Sequence, residues 1–261
     1  MPLEDDGGIP VFSRQDAYIE NYEQISSDHL ASMTEEQDNP WISEEIWQEL
    51  EESTAALIRK FTVAGNRILD VGVGLGRLLS RFPELDRFGM DISRGYLQVS
   101  QGKGIQVCCS KIEDMPYREN SFDLVVCTDV LEHVVDLNTA VRNLIHVTKQ
   151  GGYLIVRVPY RESLAQYLDD DYPYHLAHLR TFDEFSLRIL FTKLFQCQYY
   201  ECSFALYEPS LFKLKYKLPK LNFLIFMMIR VAHLIFGKQI YRMLCRELFD
   251  ATEINMVFKK L

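Results

Sequence analysis

The chain is short of positive charge: 28 Lys and Arg stand against 37 Asp and Glu in 261 residues, a formal charge of −9. Contacts to a phosphate backbone need Lys and Arg in excess, so nucleic acid is not an expected partner. The six cysteines (Cys108, Cys109, Cys127, Cys197, Cys202 and Cys245) contain no C-x-x-C pair and no zinc-site spacing. Five of them lie in apolar, strand-like runs, where a thiol usually serves as a small buried hydrophobe. The first residues, Met1–Asp6, are acidic and lack the apolar segment of a secretory leader. A reducing, cytoplasmic location is the expectation. The run Leu221–Phe236 is too short to span a bilayer and includes Arg230 and His233. Internal repeats and low-complexity linkers are also lacking.

What is present is ordinary globular composition, 48% apolar and 25% charged, with an uneven distribution of charge. Residues 1–60 hold fifteen acids and three bases, whereas residues 211–249 hold eight bases and one acid. From Asn66 to Val158, short apolar runs alternate with helical patterns. Segments 67–71, 88–91, 105–109, 122–127 and 153–158 read as strands covered on both faces. Helices are expected at 75–82, 94–101 and 137–149, the last closed by Gly151-Gly152. This alternation predicts an α/β fold with a doubly wound parallel sheet and ligands at the carboxyl ends of its strands. A single domain over 1–261 is expected, divided into an N-terminal helical cap (1–65), a cofactor-binding core (66–206), an insertion (207–252) and a last strand (253–261). Within the cap, Ser43–Lys60 reads as a helix; after the core strands, a helix starts at Thr181 and a strand covers Cys197–Leu206.

The run Ile68-Leu-Asp-Val-Gly-Val-Gly-Leu-Gly76 joins the first core strand to the segment after it. Glycines there allow a tight turn and a close approach of backbone to ligand. Asp91 ends the next strand, where a carboxylate can accept both hydroxyls of a ribose. A dinucleotide fingerprint would need glycine at the sixth place from Gly72, where Arg77 stands, and no Gly-Lys-Ser/Thr follows. The loop suits a ligand with a ribose and an amine but no phosphate.

Together with Gly89-Met-Asp-Ile-Ser93, Glu113-Asp-Met-Pro116, Ser121-Phe-Asp-Leu-Val-Val126, Asp129-Val-Leu-Glu-His133 and Gly151-Gly-Tyr-Leu-Ile-Val156, the run resembles the class I S-adenosylmethionine-dependent methyltransferases. The resemblance extends from about Asn66 to Phe182. It implies a Rossmann-like seven-stranded sheet with an antiparallel last strand, and S-adenosyl-L-methionine as cofactor. It also implies roles: Asp70, Gly72, Gly74 and Gly76 at the methionine part, Asp91 at the ribose, and Ile92 and Ile112 around the adenine with Glu113 beside them. Thr128 and His133 would lie near the sulfonium. Lys111 stands where the family often has an Asp to accept from the adenine amine, a contact lysine cannot make.

For the acceptor, the loop Tyr172–Phe182 offers His175, His178 and Arg180. In similar methyltransferases a His-Leu-Arg-x-Phe stretch lies over the active site, so His178 and Arg180, with His133, are the expected catalytic residues. Some relatives bind a divalent metal through a Glu-x-x-Glu-His motif. Here the first acid is Asp129, with Glu132 and His133 following, and no metal is expected. Tyr18, Tyr22 and Trp41 are candidates to close over the cofactor. The expected reaction is methylation of oxygen or nitrogen on a small-molecule or lipid-linked acceptor; the rivals are a cofactor-binding regulatory module without transfer activity and a metal-assisted O-methyltransferase using Asp129, Glu132 and His133. Within the insertion, 211–249 reads as a cap, a homodimer contact or a peripheral membrane contact.

Overall fold

The computed structural model describes residues 1–35, 42–174, 176–205 and 249–261, with scattered positions between 227 and 248. It begins with an element absent from the sequence reading, an antiparallel hairpin of β1 (Glu4–Asp6) and β2 (Ile9–Val11). The Gly8 N–H donates to Asp5 Oδ1 at 2.8 Å across the turn. Two helices follow, α1 (Ala17–Glu35) and α2 (Glu44–Phe61). Ser43 caps α2, its Oγ accepting from the Ile46 N–H at 3.4 Å, and acids in the first turn and bases in the last complement the helix dipole.

The core strands are β3 (Arg67–Val71), β4 (Asp86–Asp91), β5 (Gln106–Cys109), β6 (Phe122–Thr128) and β7 (Thr148–Pro159). They pair parallel, with α3 (Arg94–Gly102) and α4 (Leu137–Val147) among their crossovers. Next comes α5 (Glu184–Ile189), extended by a π-helical turn at Leu190–Leu194, then β8 (Gln198–Ala205) and β9 (Glu253–Lys259). The sheet order is β1-β2-β5-β4-β3-β6-β7-β9-β8, with β9 antiparallel to both neighbours.

Three expectations need correction. The sheet has nine strands, not seven, because Val11 of β2 pairs with Cys109 of β5 and extends the edge. The segment 1–65 is therefore not purely a helical cap. The helix expected at 75–82 is reduced to a 3₁₀ turn at Leu79–Arg81. Gly76 has φ +67°, which no right-handed helix can include, and Pro83 turns Phe82 away from the helical region, leaving too few residues between them. Finally, α4 ends at Val147 and the chain enters β7 at once. Gly151, at φ +74°, lies inside that strand beside an irregularity in its pairing with β6, rather than after a helix.

The core forms two layers, one on each face of the sheet. Alternate residues of β6 divide between them: Val125 and Cys127 pack toward α4 and α5, Leu124 and Val126 toward α2 and α3. From β3 the strand order runs outward one way through β4 and β5, and from β6 the other way through β7. A crevice therefore opens at the carboxyl ends of β3 and β6, the usual ligand position in such a sheet. No described helix is long and apolar enough to cross a membrane.

The insertion lies between β8 and β9. Most of it, including the start of the basic 211–249 stretch, falls outside the described residues, as do Trp41 and His175.

Candidate functional site

At the end of β3 the chain turns toward the crevice. The Gly72 and Val73 N–H groups both donate to the Met90 carbonyl, at 2.7 and 3.1 Å, and the Gly74 N–H donates to Asp91 Oδ2 at 2.9 Å. The Ser93 N–H reaches Asp91 Oδ1 at 2.9 Å. Asp91 thus holds two loops together, and each of its oxygens keeps a further lone pair. Burial pushes its carboxyl above the ordinary range against the pull of these backbone donors. Gly74, at φ +49°, has open space where a Cβ would stand.

Gly76 differs. A Cβ there would lie 2.7 Å from both Ile105 Cδ1 and Ser100 Oγ, and Gly76 does not line the cavity. Its expected cofactor contact is corrected to close packing between the loop and α3. Arg77 borders the cavity, but its charge is already matched. Its guanidinium pairs with Glu44 at 2.6 Å and Glu51 at 2.8 Å, and lies 4.0 Å from the Trp47 ring centroid.

The crevice is a cavity of about 950 Å³, near the upper end for small-ligand sites and large enough for two ligands side by side. Eight acidic side chains line it against three basic ones, so it favours cationic ligands. Asp70, on β3, is 2% exposed and its Oδ1 has no hydrogen-bond partner among the described residues. Desolvation pushes its carboxyl well above the ordinary range despite the nearby Arg157 charge. An ammonium would fill this orphaned acceptor. Gly72, Ile92, Ile112, Glu113 and Thr128 also border the cavity. The 112–113 turn is pinned by Asn143 Nδ2, which donates to the Ile112 and Glu113 carbonyls at 2.9 and 3.0 Å. The Lys111 ammonium pairs with Asp16 at 2.6 Å. This donor set fits a ligand with a ribose and an amine.

At the far end, Glu132, His133 and His178 converge, each with one ligating atom within 4.8 Å of the others. Glu132 is 1% exposed, neither carboxylate oxygen has a hydrogen-bond partner among the described residues, His133 Nε2 lies 3.9 Å from its Oε1, and burial raises its pKa well above normal. His133 is held down to about 4 by burial and by neighbouring His178, so it is neutral at pH 7. Its Nδ1 meets the Tyr22 hydroxyl at 2.8 Å. The two imidazoles stand edge to face, 4.5 Å between centroids. This trio is a set that can hold a divalent cation.

Asp129 does not join it. Its carboxylate is bound by Arg157, so in the alternative set of Asp129, Glu132 and His133 the first member is replaced by His178. Arg180 is likewise displaced from the chemistry. Its Nη1 donates to the Leu131 carbonyl at 2.9 Å and to that of Val134, and its Nη2 to that of Val135 at 3.3 Å. It does not line the cavity and serves to hold the loop after β6. Tyr18 and Tyr22 on α1 do line it.

Among the cavity residues that escaped the sequence reading are Trp47, Arg157 and Glu162. Arg157 had a signal, a lone base inside the apolar run Tyr153–Val158. Trp47 and Glu162 had none that a single sequence could offer.

A family model described as a methyltransferase domain matches residues 69–156. The ubiquinone/menaquinone biosynthesis C-methyltransferase of Vibrio cholerae is 29% identical over 142 residues, 46% of this chain and 54% of that one. The tRNA (carboxymethyluridine(34)-5-O)-methyltransferase of Arabidopsis thaliana is 33% identical over 98 residues, 36% of this chain and 24% of that one. This chain thus spans about half, or less, of the curated relatives it matches. Among solved structures, a SAM-dependent methyltransferase of Thermotoga maritima superposes with TM-score 0.58 at 16% identity, covering 94% of this chain and 100% of that one. A chain of the Haloferax volcanii complex between the Trm112 activator and a methyltransferase gives 0.61 at 15% identity, covering 95% and 99%. Likeness at such identities concerns the fold.

Proposed function

We propose that this chain, which belongs to the class I S-adenosylmethionine-dependent methyltransferases, methylates an oxygen or nitrogen of a small or lipid-linked acceptor. The observation that carries this reading is the single cavity that runs from the Gly74–Asp91 loop to His178. One end fits the cofactor and the other holds a base within the same walls. S-adenosylmethionine, when bound, supplies a methyl group on a cationic sulfur, an electrophile that needs no further activation. Asp91 would accept from its ribose hydroxyls and Asp70 from its amine, while Ile92 and Ile112 would pack against its adenine. His178 takes the proton that an O–H or N–H acceptor gives up, leaving a lone pair for the new bond. The Tyr18 and Tyr22 rings wall the cavity from α1, and a closed wall keeps water from the methyl group.

Asp91→Ala tests the cofactor half. It removes a charged acceptor whose hydrogen bonds are worth roughly 1.5–3 kcal/mol each. Affinity for S-adenosylhomocysteine, read by calorimetry, should fall by at least about tenfold. An unchanged dissociation constant would sink the ribose assignment.

A second reading, metal-assisted transfer to an acceptor with adjacent hydroxyls, is favoured by one observation, a buried Glu132 carboxylate that has no hydrogen-bond partner among the described residues and lies close to two imidazoles. Under the first reading a chelator leaves turnover unchanged. Loss with chelator, and recovery with magnesium or zinc, would select the second.

A further inference from the structure

We infer that Glu162 is a positioning residue for transfer: it fixes the proton of His178 on Nδ1 and so presents the Nε2 lone pair to the acceptor. The inference rests on the reading of His178 as the acceptor's base, and adds the group that makes it one.

The backbone brings the two together although they are sixteen residues apart in the chain. Beyond β7, Tyr160 pairs with Phe182, and the Arg161 N–H donates to the Phe182 carbonyl at 2.8 Å. Arg161 itself is left-handed, φ +52°, which turns the chain sharply just before Glu162. The Leu179 N–H donates to the Glu132 carbonyl at 2.8 Å, so the backbone beside His178 is tied to the loop after β6. The histidine is therefore held between two anchored strands of loop, with Glu162 against one edge of its ring.

The contacts at that edge are specific. Glu162 Oε2 pairs with His178 Nδ1. The Tyr167 hydroxyl lies 2.6 Å from Glu162 Oε1 and 3.2 Å from His178 Nδ1. An ionised carboxylate can only accept, so the Nδ1 facing it carries the hydrogen. The Tyr167 proton goes to the nearer carboxylate oxygen, which leaves the hydroxyl oxygen facing Nδ1 as a second acceptor. Both groups therefore favour the same tautomer. In a neutral imidazole with hydrogen on Nδ1, Nε2 is the basic nitrogen. His178 and Glu162 side chains are 19% and 18% exposed, so water competes weakly for the pair. When Nε2 takes the acceptor's proton, the imidazole becomes a cation and the carboxylate stabilises it where it stands.

A contact that only tied two loops together would fix position without fixing the proton, and the test separates the two. The full-length chain, with ¹⁵N in its histidine rings and S-adenosylhomocysteine bound, reports the tautomer of each ring; His178→Gln identifies the signal. The wild type should show the Nδ1–H form. Glu162→Ala should move His178 to the Nε2–H form or to a mixture, and Tyr167→Phe should leave it unchanged because the carboxylate remains. An Nε2–H form in the wild type, or full retention of Nδ1–H in Glu162→Ala, would overturn the inference. If Glu162→Ala does not fold, the wild-type signal still decides. These spectra need no acceptor, and S-adenosylhomocysteine affinity measured alongside them reports on the cofactor reading separately. With an acceptor in hand, Glu162→Gln should lower kcat by up to about 10²-fold, within the contribution of a general base, with KM unchanged. A change in KM alone would point to loop-tying.

Discussion

Arg157→Met is expected to destabilise the fold by about 3 kcal/mol, the low end of the range for removing one partner of a buried ion pair. Arg157 lies on β7 and is 5% exposed. It binds Asp129, and its Nη1 donates to the Leu50 carbonyl at 2.9 Å and to Thr54 Oγ1 at 3.0 Å. It therefore ties α2 to the sheet and to the loop after β6. Methionine keeps the stem but removes the charge and every donor. The low end applies because Asp129 keeps 42% of its side chain exposed and can regain water. A loss of that size should lower the melting temperature by roughly 6–12 °C for a chain of this length. The deficit should also depend on pH. Burial already raises the Asp70 pKa well above 3.8, and Arg157 is the charge that opposes this rise. Without it, the folded-state pKa rises further. A carboxyl with a raised folded pKa loses stability as pH climbs from its unfolded pKa toward the folded one. The gap between variant and wild type should therefore widen as pH climbs past the folded wild-type pKa of Asp70, which lies well above 3.8. Melting curves at several pH values check this, and a constant gap would show that Arg157 acts through its hydrogen bonds alone.

The parts of the molecule legible in the sequence are those in which local pattern and burial agree. β6 and β7 read as strands because both faces are covered and their runs are nearly continuous in apolar residues. Ser43 and α2 were legible for a similar reason, a cap followed by a helical period. The hairpin was not, because β1 and β2 have three residues each, too few to show a period, and Glu4-Asp5-Asp6 has the composition of a solvated tail. The helix after β3 was misread because its apolar residues do fit a helical period; a single left-handed glycine and a proline overrule them. In the site, Asp70 and Asp91, singled out in the sequence, both border the cavity because each lies at or near the carboxyl end of its strand. Glu162 could not be found that way. Its partner is brought to it by the Tyr160–Phe182 pairing, a contact between loops that leaves no trace in local sequence. Arg180 shows the converse, a motif residue whose charge goes to backbone carbonyls.

His178→Ala should cut turnover by about 10²–10⁴ while leaving affinity for S-adenosylhomocysteine intact. Two histidines face the acceptor end, and the structure distinguishes them. The pKa of His133 is near 4, and a group so far below working pH is a weak proton acceptor. The Tyr22 hydroxyl meets its Nδ1, tying it to α1. His133 is thus fitted to shape the cavity, and His133→Ala should lower turnover less than His178→Ala. His178 has a carboxylate at Nδ1 and lines the cavity, an arrangement that suits a proton acceptor. Cofactor affinity should survive because none of the groups around Asp70, Asp91 or Gly74 hydrogen-bonds to His178. The measurement is single-turnover transfer of labelled methyl beside calorimetry on the same preparation. A variant that loses cofactor affinity or melts early, with its remaining turnover in proportion, would make His178 a structural histidine holding the 162–178 loop. A variant that keeps affinity and melting temperature yet transfers at the wild-type rate would move the base elsewhere, with Glu132 the next group at that end of the cavity.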